Sequence, residues 1–93
     1  MFNKTKVEER AHLLNAKDVE SWPEDEKTDA LKAIEHRTTL LAWIKKHKGY
    51  NERQIWEYAM EAEHQDGVEY WWSFSTPEEL ADDMRRYFVA AAR

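Results

Sequence analysis

Only two prolines and two glycines occur in the whole chain, and each stands where a helix begins or ends. Pro23 follows Ser21-Trp22 and Pro77 follows Ser75-Thr76. A proline in the first helical turn gives up an N–H that would have no intrahelical partner there. Gly49 and Gly67 each close a long mixed polar and apolar stretch, which is where a left-handed C-terminal cap favours glycine. Nothing between these markers breaks a helix.

Four short polar residues are each followed three positions later by Glu or Gln: Thr5 with Glu8, Ser21 with Glu24, Asn51 with Gln54, and Thr76 with Glu79. This is the reciprocal pattern of a capping box and predicts helix starts. Helices are expected over 5–16, 22–48, 52–65 and 77–92. Periodicity agrees, with Val7, Ala11 and Leu14 on one face of the first. Leu31, Ile34, Thr38, Leu41 and Ile44 line the second, Ile55, Ala59 and Ala62 the third, and Leu80, Met84, Tyr87, Phe88 and Ala91 the fourth. The β-branched pair Thr38-Thr39 marks where the long second helix would bend or break. The expected fold is therefore all-α, a small bundle of about four helices forming one domain over 1–93.

Residues 68–74 depart from this pattern. Val68, Tyr70, Trp72 and Phe74 alternate with Glu69, Trp71 and Ser73 in the period of a strand. An isolated strand has no partner in an all-α chain, so the segment reads as an extended aromatic connector laid on the helices, an edge that pairs with a second copy, or a helical turn. Alternation sets Trp71 opposite Tyr70 and Trp72, which makes Trp71 the expected exposed ring and Trp72 the expected buried one.

The chain has no cysteine, which excludes disulfides and thiolate metal sites and suits a cytoplasmic protein. The charged N-terminal residues and the lack of a long apolar run argue against a signal peptide or membrane span. Charge is uneven: residues 1–48 carry ten Lys/Arg against nine Asp/Glu, residues 49–93 four against ten. An acidic field disfavours nucleic acid and anionic lipid and favours a basic partner.

Motifs with chemistry are sparse. There is no Gly-rich phosphate loop, no cysteine nucleophile and no serine elbow, so no catalytic residues, no cofactor and no enzymatic activity are expected. Glu9 with His12 and Glu61 with His64 match the Glu-x-x-His spacing of di-iron bundles, with Glu35 and Glu57 spare. Thirteen glutamates make such matches common by chance, and no metal is expected. Lys45, Lys46, His47 and Lys48, with Arg53 beyond, sit where a helix C-terminus favours cations, and Glu78, Glu79, Asp82 and Asp83 where a helix start favours anions. The stretch 49–64 has the outline of a helix-turn-helix with Asn51, Arg53 and Gln54 at the tip of its reading helix, but Glu52, Glu57, Glu61 and Glu63 would face the phosphates.

The sequence thus points to a small acidic protein-interaction module, an inhibitor or adaptor that covers a basic surface of a larger protein, including one that binds nucleic acid. Its expected anchors are Tyr70, Trp71, Trp72 and Phe74, with Glu57, Glu61, Glu63 and Glu69 as an acidic rim. The alternatives are a DNA-binding regulator using residues 49–64 and a homodimer pairing through 68–74.

Overall fold

The computed structural model describes residues 12–92. Within them the chain forms α1 (Glu24–His47), α2 (Glu52–Asp66), a 3-10 helix (Val68–Ser73) and α3 (Pro77–Ala91), and contains no strand. The all-α expectation holds, and the three long helices end within two residues of their expected limits. No helix among the described residues is long and apolar enough to cross a membrane.

The expected first helix lies mostly outside the described residues, as does its Thr5/Glu8 cap. The part that is described, 12–16, is not helical and runs into turns over 16–21. Two side chains explain this by capturing the local backbone. Asn15 Oδ1 accepts from the N–H groups of Lys17 (2.9 Å) and Asp18 (3.2 Å), while Asp18 Oδ2 accepts from the Asn15 N–H at 2.8 Å. Such local bonds compete directly with helix formation. The turn drives Val19 into full burial, with Leu13 and Leu14 packed on the same core.

α1 spans about 36 Å at 1.5 Å per residue, most of the molecule's 42 Å long axis. Its cap differs from expectation: Pro23 is the N-cap residue, and no side chain caps the helix, Ser21 included. Thr38 and Thr39 do not interrupt it. Their hydroxyls donate back to the carbonyls of Ile34 (2.9 Å) and Glu35 (3.2 Å), which accommodates both residues within the helix. The buried stripe is Ala30, Ala33, Arg37, Leu40 and Ile44, turned from the expected one; Leu31, Ile34 and Leu41 flank it half-buried and Thr38 is exposed. The largest side chain of the core, Trp71, is supplied by the 3-10 helix.

α2 starts on the expected capping box, with Asn51 and Gln54 exchanging side-chain to backbone bonds at 2.8 and 2.9 Å. It buries Ile55, Tyr58, Ala59 and Met60. α3 is capped by Thr76, whose hydroxyl accepts from the Glu79 N–H, while Glu79 reaches back to the N–H of Ser75 instead of Thr76. Leu80 and Met84 are its core contribution, and Tyr87 and Phe88 pack half-buried beside them.

The segment 68–74 is the main correction. Gly67, at φ 74° and ψ −177°, turns the chain out of α2 into a 3-10 helix, not an extended connector. The Tyr70 N–H bonds to the Gly67 carbonyl and that of Phe74 to the Trp71 carbonyl. At three residues per turn, Val68, Trp71 and Phe74 share one face and Glu69 and Trp72 another. Trp71 is accordingly buried and Trp72 exposed, the reverse of the expected assignment. The backbone groups are spent on i to i+3 turns, so the strand edge that homodimer pairing would need does not form.

Candidate functional site

Two arrangements of polar and aromatic side chains dominate the molecule, one inside the core and one on its surface. In the core, the Glu63 carboxylate accepts from the Arg37 guanidinium, the Trp71 indole N–H (2.8 Å) and the Leu14 backbone N–H (3.2 Å). Glu63 is 1% exposed and Arg37 nearly as buried. The group ties the N-terminal segment, α1, α2 and the 3-10 helix to one buried charge pair. A buried charge pair that joins several elements fixes how those elements sit together.

The surface arrangement is a cleft of about 440 Å³ between the start of α1 and the 3-10 helix. Trp22 and Trp72 form its aromatic walls, Ala30 and Val68 its floor, and Glu26, Asp29 and Glu69 its rim. Each element delivers its residue for a local reason. Trp22 immediately precedes the Pro23 cap, where the chain has not yet entered the helix and the ring remains 37% exposed. Glu26 and Asp29 fall in the first turns of α1, where the helix dipole favours carboxylates. Glu69 and Trp72 are three apart on the outer face of the 3-10 helix.

Trp72 is held in place as well as exposed. Its ring stacks on His36 with centroids 5.7 Å apart and planes within 17°, and His36 Nε2 lies 2.6 Å from the Phe74 carbonyl oxygen. The indole is thus a rigid platform although 47% of its surface is open. Among the described residues, no basic side chain lines the cleft. Aromatic faces beside carboxylates, with no competing cation, fit a guanidinium or ammonium group that stacks on an indole while donating to the rim.

Of the eight residues the sequence marks, only Trp72 and Glu69 lie on this cleft. Trp71, Glu61 and Glu63 are buried and none of them lines this cleft. Tyr70 and Phe74 are half-buried, edge to face with centroids 5.2 Å apart. Glu57 is half-buried and pairs with Arg53 at 3.0 Å. The cause is the helical period: Glu61 and Glu63 were placed on a solvated face, whereas Tyr58, Met60 and their neighbours make α2 buried around most of its circumference near its middle. Trp22, Glu26 and Asp29 were missed. A tryptophan wedged before a helix-starting proline, with carboxylates four and seven residues later, was the available signal.

The remaining motifs resolve into local pairs. Lys45 pairs with Glu52, and the Lys48 ammonium lies 5.6 Å over the Trp43 ring. His12 pairs with Asp18 at 3.1 Å, Glu9 falls outside the described residues, and Glu61 is buried while His64 is exposed. Asn51 and Gln54 are engaged in their cap and Arg53 with Glu57. No protein-family model matches the chain, and no curated protein or solved structure matches it either.

Proposed function

We propose that this chain is a protein-interaction module without catalytic activity, which docks a basic segment of a larger protein into the Trp22–Trp72 cleft and so covers that partner's surface. The observation that carries the reading is the pairing of two exposed tryptophans with three carboxylates in one concavity, with no cation there among the described residues. Tryptophan is the residue most enriched at interface hot spots, and charge complementarity supplies the direction of approach. A surface of Arg and Lys is also what nucleic-acid-binding proteins present, so a protein of that kind has the matching chemistry, and covering it would block its nucleic acid. The helix-turn-helix alternative finds less support, since Asn51, Arg53 and Gln54 already bond within the chain.

The test is a titration of the full chain with oligo-arginine and oligo-lysine peptides, followed by tryptophan fluorescence. Binding should weaken on Trp72→Ala and on combined Glu26→Gln, Asp29→Asn and Glu69→Gln. It should be nearly unaffected when the same number of charges is removed at Glu35, Glu78 and Asp82. Equal weakening by both sets would reduce the effect to net charge and overturn the assignment of the cleft.

A further inference from the structure

A second cavity, of about 310 Å³, opens where α2, the 3-10 helix and α3 meet. Tyr58, Tyr70 and Tyr87 supply its aromatic wall, Glu61 and Asp83 its carboxylates, and exposed Asp66 adds a third negative charge, with no basic residue in the lining among the described residues. The Tyr58 and Tyr70 hydroxyls both converge on Asp83 Oδ2, Tyr70 at 2.7 Å. Tyr87 stands edge-on to Tyr58 with centroids 5.2 Å apart.

The informative atom is Glu61 Oε2. Glu61 is 3% exposed, and its Oε1 accepts from the Gln65 side-chain amide, yet Oε2 is shut from solvent and accepts no hydrogen bond. A buried carboxylate oxygen without a donor is costly, and its neighbours on the cavity wall are other carboxylates and neutral phenols. Burial, reinforced at Tyr58 by the Asp83 hydrogen bond, pushes the Tyr58 and Tyr70 phenols well above their ordinary range, so both remain neutral under physiological conditions. A cationic donor is the partner that this oxygen lacks among the described residues.

We propose that this cavity binds a protonated amine, the ammonium nitrogen donating to Glu61 Oε2 and to Asp83 while its charge lies against the tyrosine rings. The choice among cations follows from the acceptors. Glu61 Oε1 is taken by Gln65 and Asp83 Oδ2 by two phenols, so each carboxylate offers one oxygen. A guanidinium fork needs two oxygens side by side on one carboxylate, whereas an ammonium directs three separate donors. Among the described residues, no cluster of three or more His, Asp or Glu has the arrangement of a metal site. The aromatic wall suits an alkylammonium, whose methylenes pack while its charge meets the ring faces. The same head group occurs on a free polyamine and on a lysine side chain.

The test is NMR titration of the full chain with butylammonium, spermidine, N-acetyl-lysine methylamide and N-acetyl-arginine methylamide. Expected are saturable shifts of the Tyr58, Tyr70 and Tyr87 ring resonances with the amines, and nuclear Overhauser contacts from butylammonium methylenes to those rings. Glu61→Gln should weaken amine binding read from the tyrosine ring shifts by about tenfold or more, and Trp72→Ala, outside this cavity, should leave the affinity read from those shifts unchanged. Spermidine binding more tightly than the lysine derivative assigns the site to a free polyamine; equal or tighter binding of the lysine derivative assigns it to a partner's side chain. Should Glu61→Gln fail to fold, the Overhauser contacts in the wild-type chain decide. Absence of those contacts, unchanged affinity in folded Glu61→Gln, or preference for the arginine derivative overturns the proposal.

Discussion

Trp71 and Trp72 are neighbours in the chain, yet one donates its indole N–H to Glu63 inside the core while the other stacks on His36 at the surface. The 3-10 helix produces that split by turning successive side chains through about 120°. One ring becomes structural and the other is available to a partner.

Replacing Trp71 with Ala should therefore destabilise the fold by about 3–5 kcal/mol, through the cavity left at the centre and the donor lost to Glu63. Trp72→Ala should cost about 1 kcal/mol or less in stability, yet weaken a docked basic partner by about 2 kcal/mol or more. Denaturant unfolding of both variants, paired with a binding assay, reads the two effects separately. Equal destabilisation by both would mean that Trp72 is also a core residue.

How far the sequence could be read is clearest at this same pair. The boundaries of the long helices were available because Asn51, Thr76, Pro77, Gly49 and Gly67 act within a few residues of themselves, and capping is local chemistry. The 3-10 helix was not, since Tyr, Trp, Phe and Val favour strands intrinsically and alternate here with Glu69 and Ser73. What overrides them is tertiary: Gly67 turns the chain, and the Trp71 ring is buried in the core with its indole N–H on Glu63. Glu63 was misread for a related reason. Its burial depends on Arg37, 26 positions earlier, and on the Leu14 N–H, 49 positions earlier, which no local pattern reports.

The Arg37–Glu63 pair leads to a non-additivity prediction. Arg37→Met alone removes a buried cation from the Glu63 carboxylate and should cost about 3–5 kcal/mol. Changing both residues to Met removes the charges together, so the double variant should be less destabilised than the sum of the two single variants. A double-mutant cycle by denaturant unfolding measures this; strict additivity would show that the pair carries no mutual interaction.

Gly67 adopts a positive φ with extended ψ, a region open in practice only to glycine. A Cβ there would also come within 3.0 Å of the Glu69 carboxylate, although that exposed side chain can move away. The backbone is the fixed term, so Gly67→Ala should cost about 1–3 kcal/mol. The double variant Gly67→Ala, Glu69→Ala should recover little of it. Substantial recovery would place the penalty in the side-chain contact instead.

Alkaline pH tests the tyrosine trio. Burial first, and then the bond to Asp83, raises the Tyr58 phenol above its ordinary range, and burial does the same for Tyr70. Below about pH 10 the phenols are protonated in folded and unfolded chain alike, and stability does not depend on them. Above it the unfolded chain releases protons that the folded one retains, so the folded state binds more protons and stability falls as pH rises. The limiting slope for one such phenol is about 1.4 kcal/mol per pH unit. Tyr58 should approach it, and Tyr70, more open to solvent, should add less. Denaturant unfolding at about pH 8 and about pH 11 should therefore show a marked loss, and Tyr58→Phe should flatten the dependence. A stability unchanged across that interval would mean that the phenols ionise as readily in the folded protein as in the unfolded one, and the hydrogen bonds converging on Asp83 would have to be abandoned.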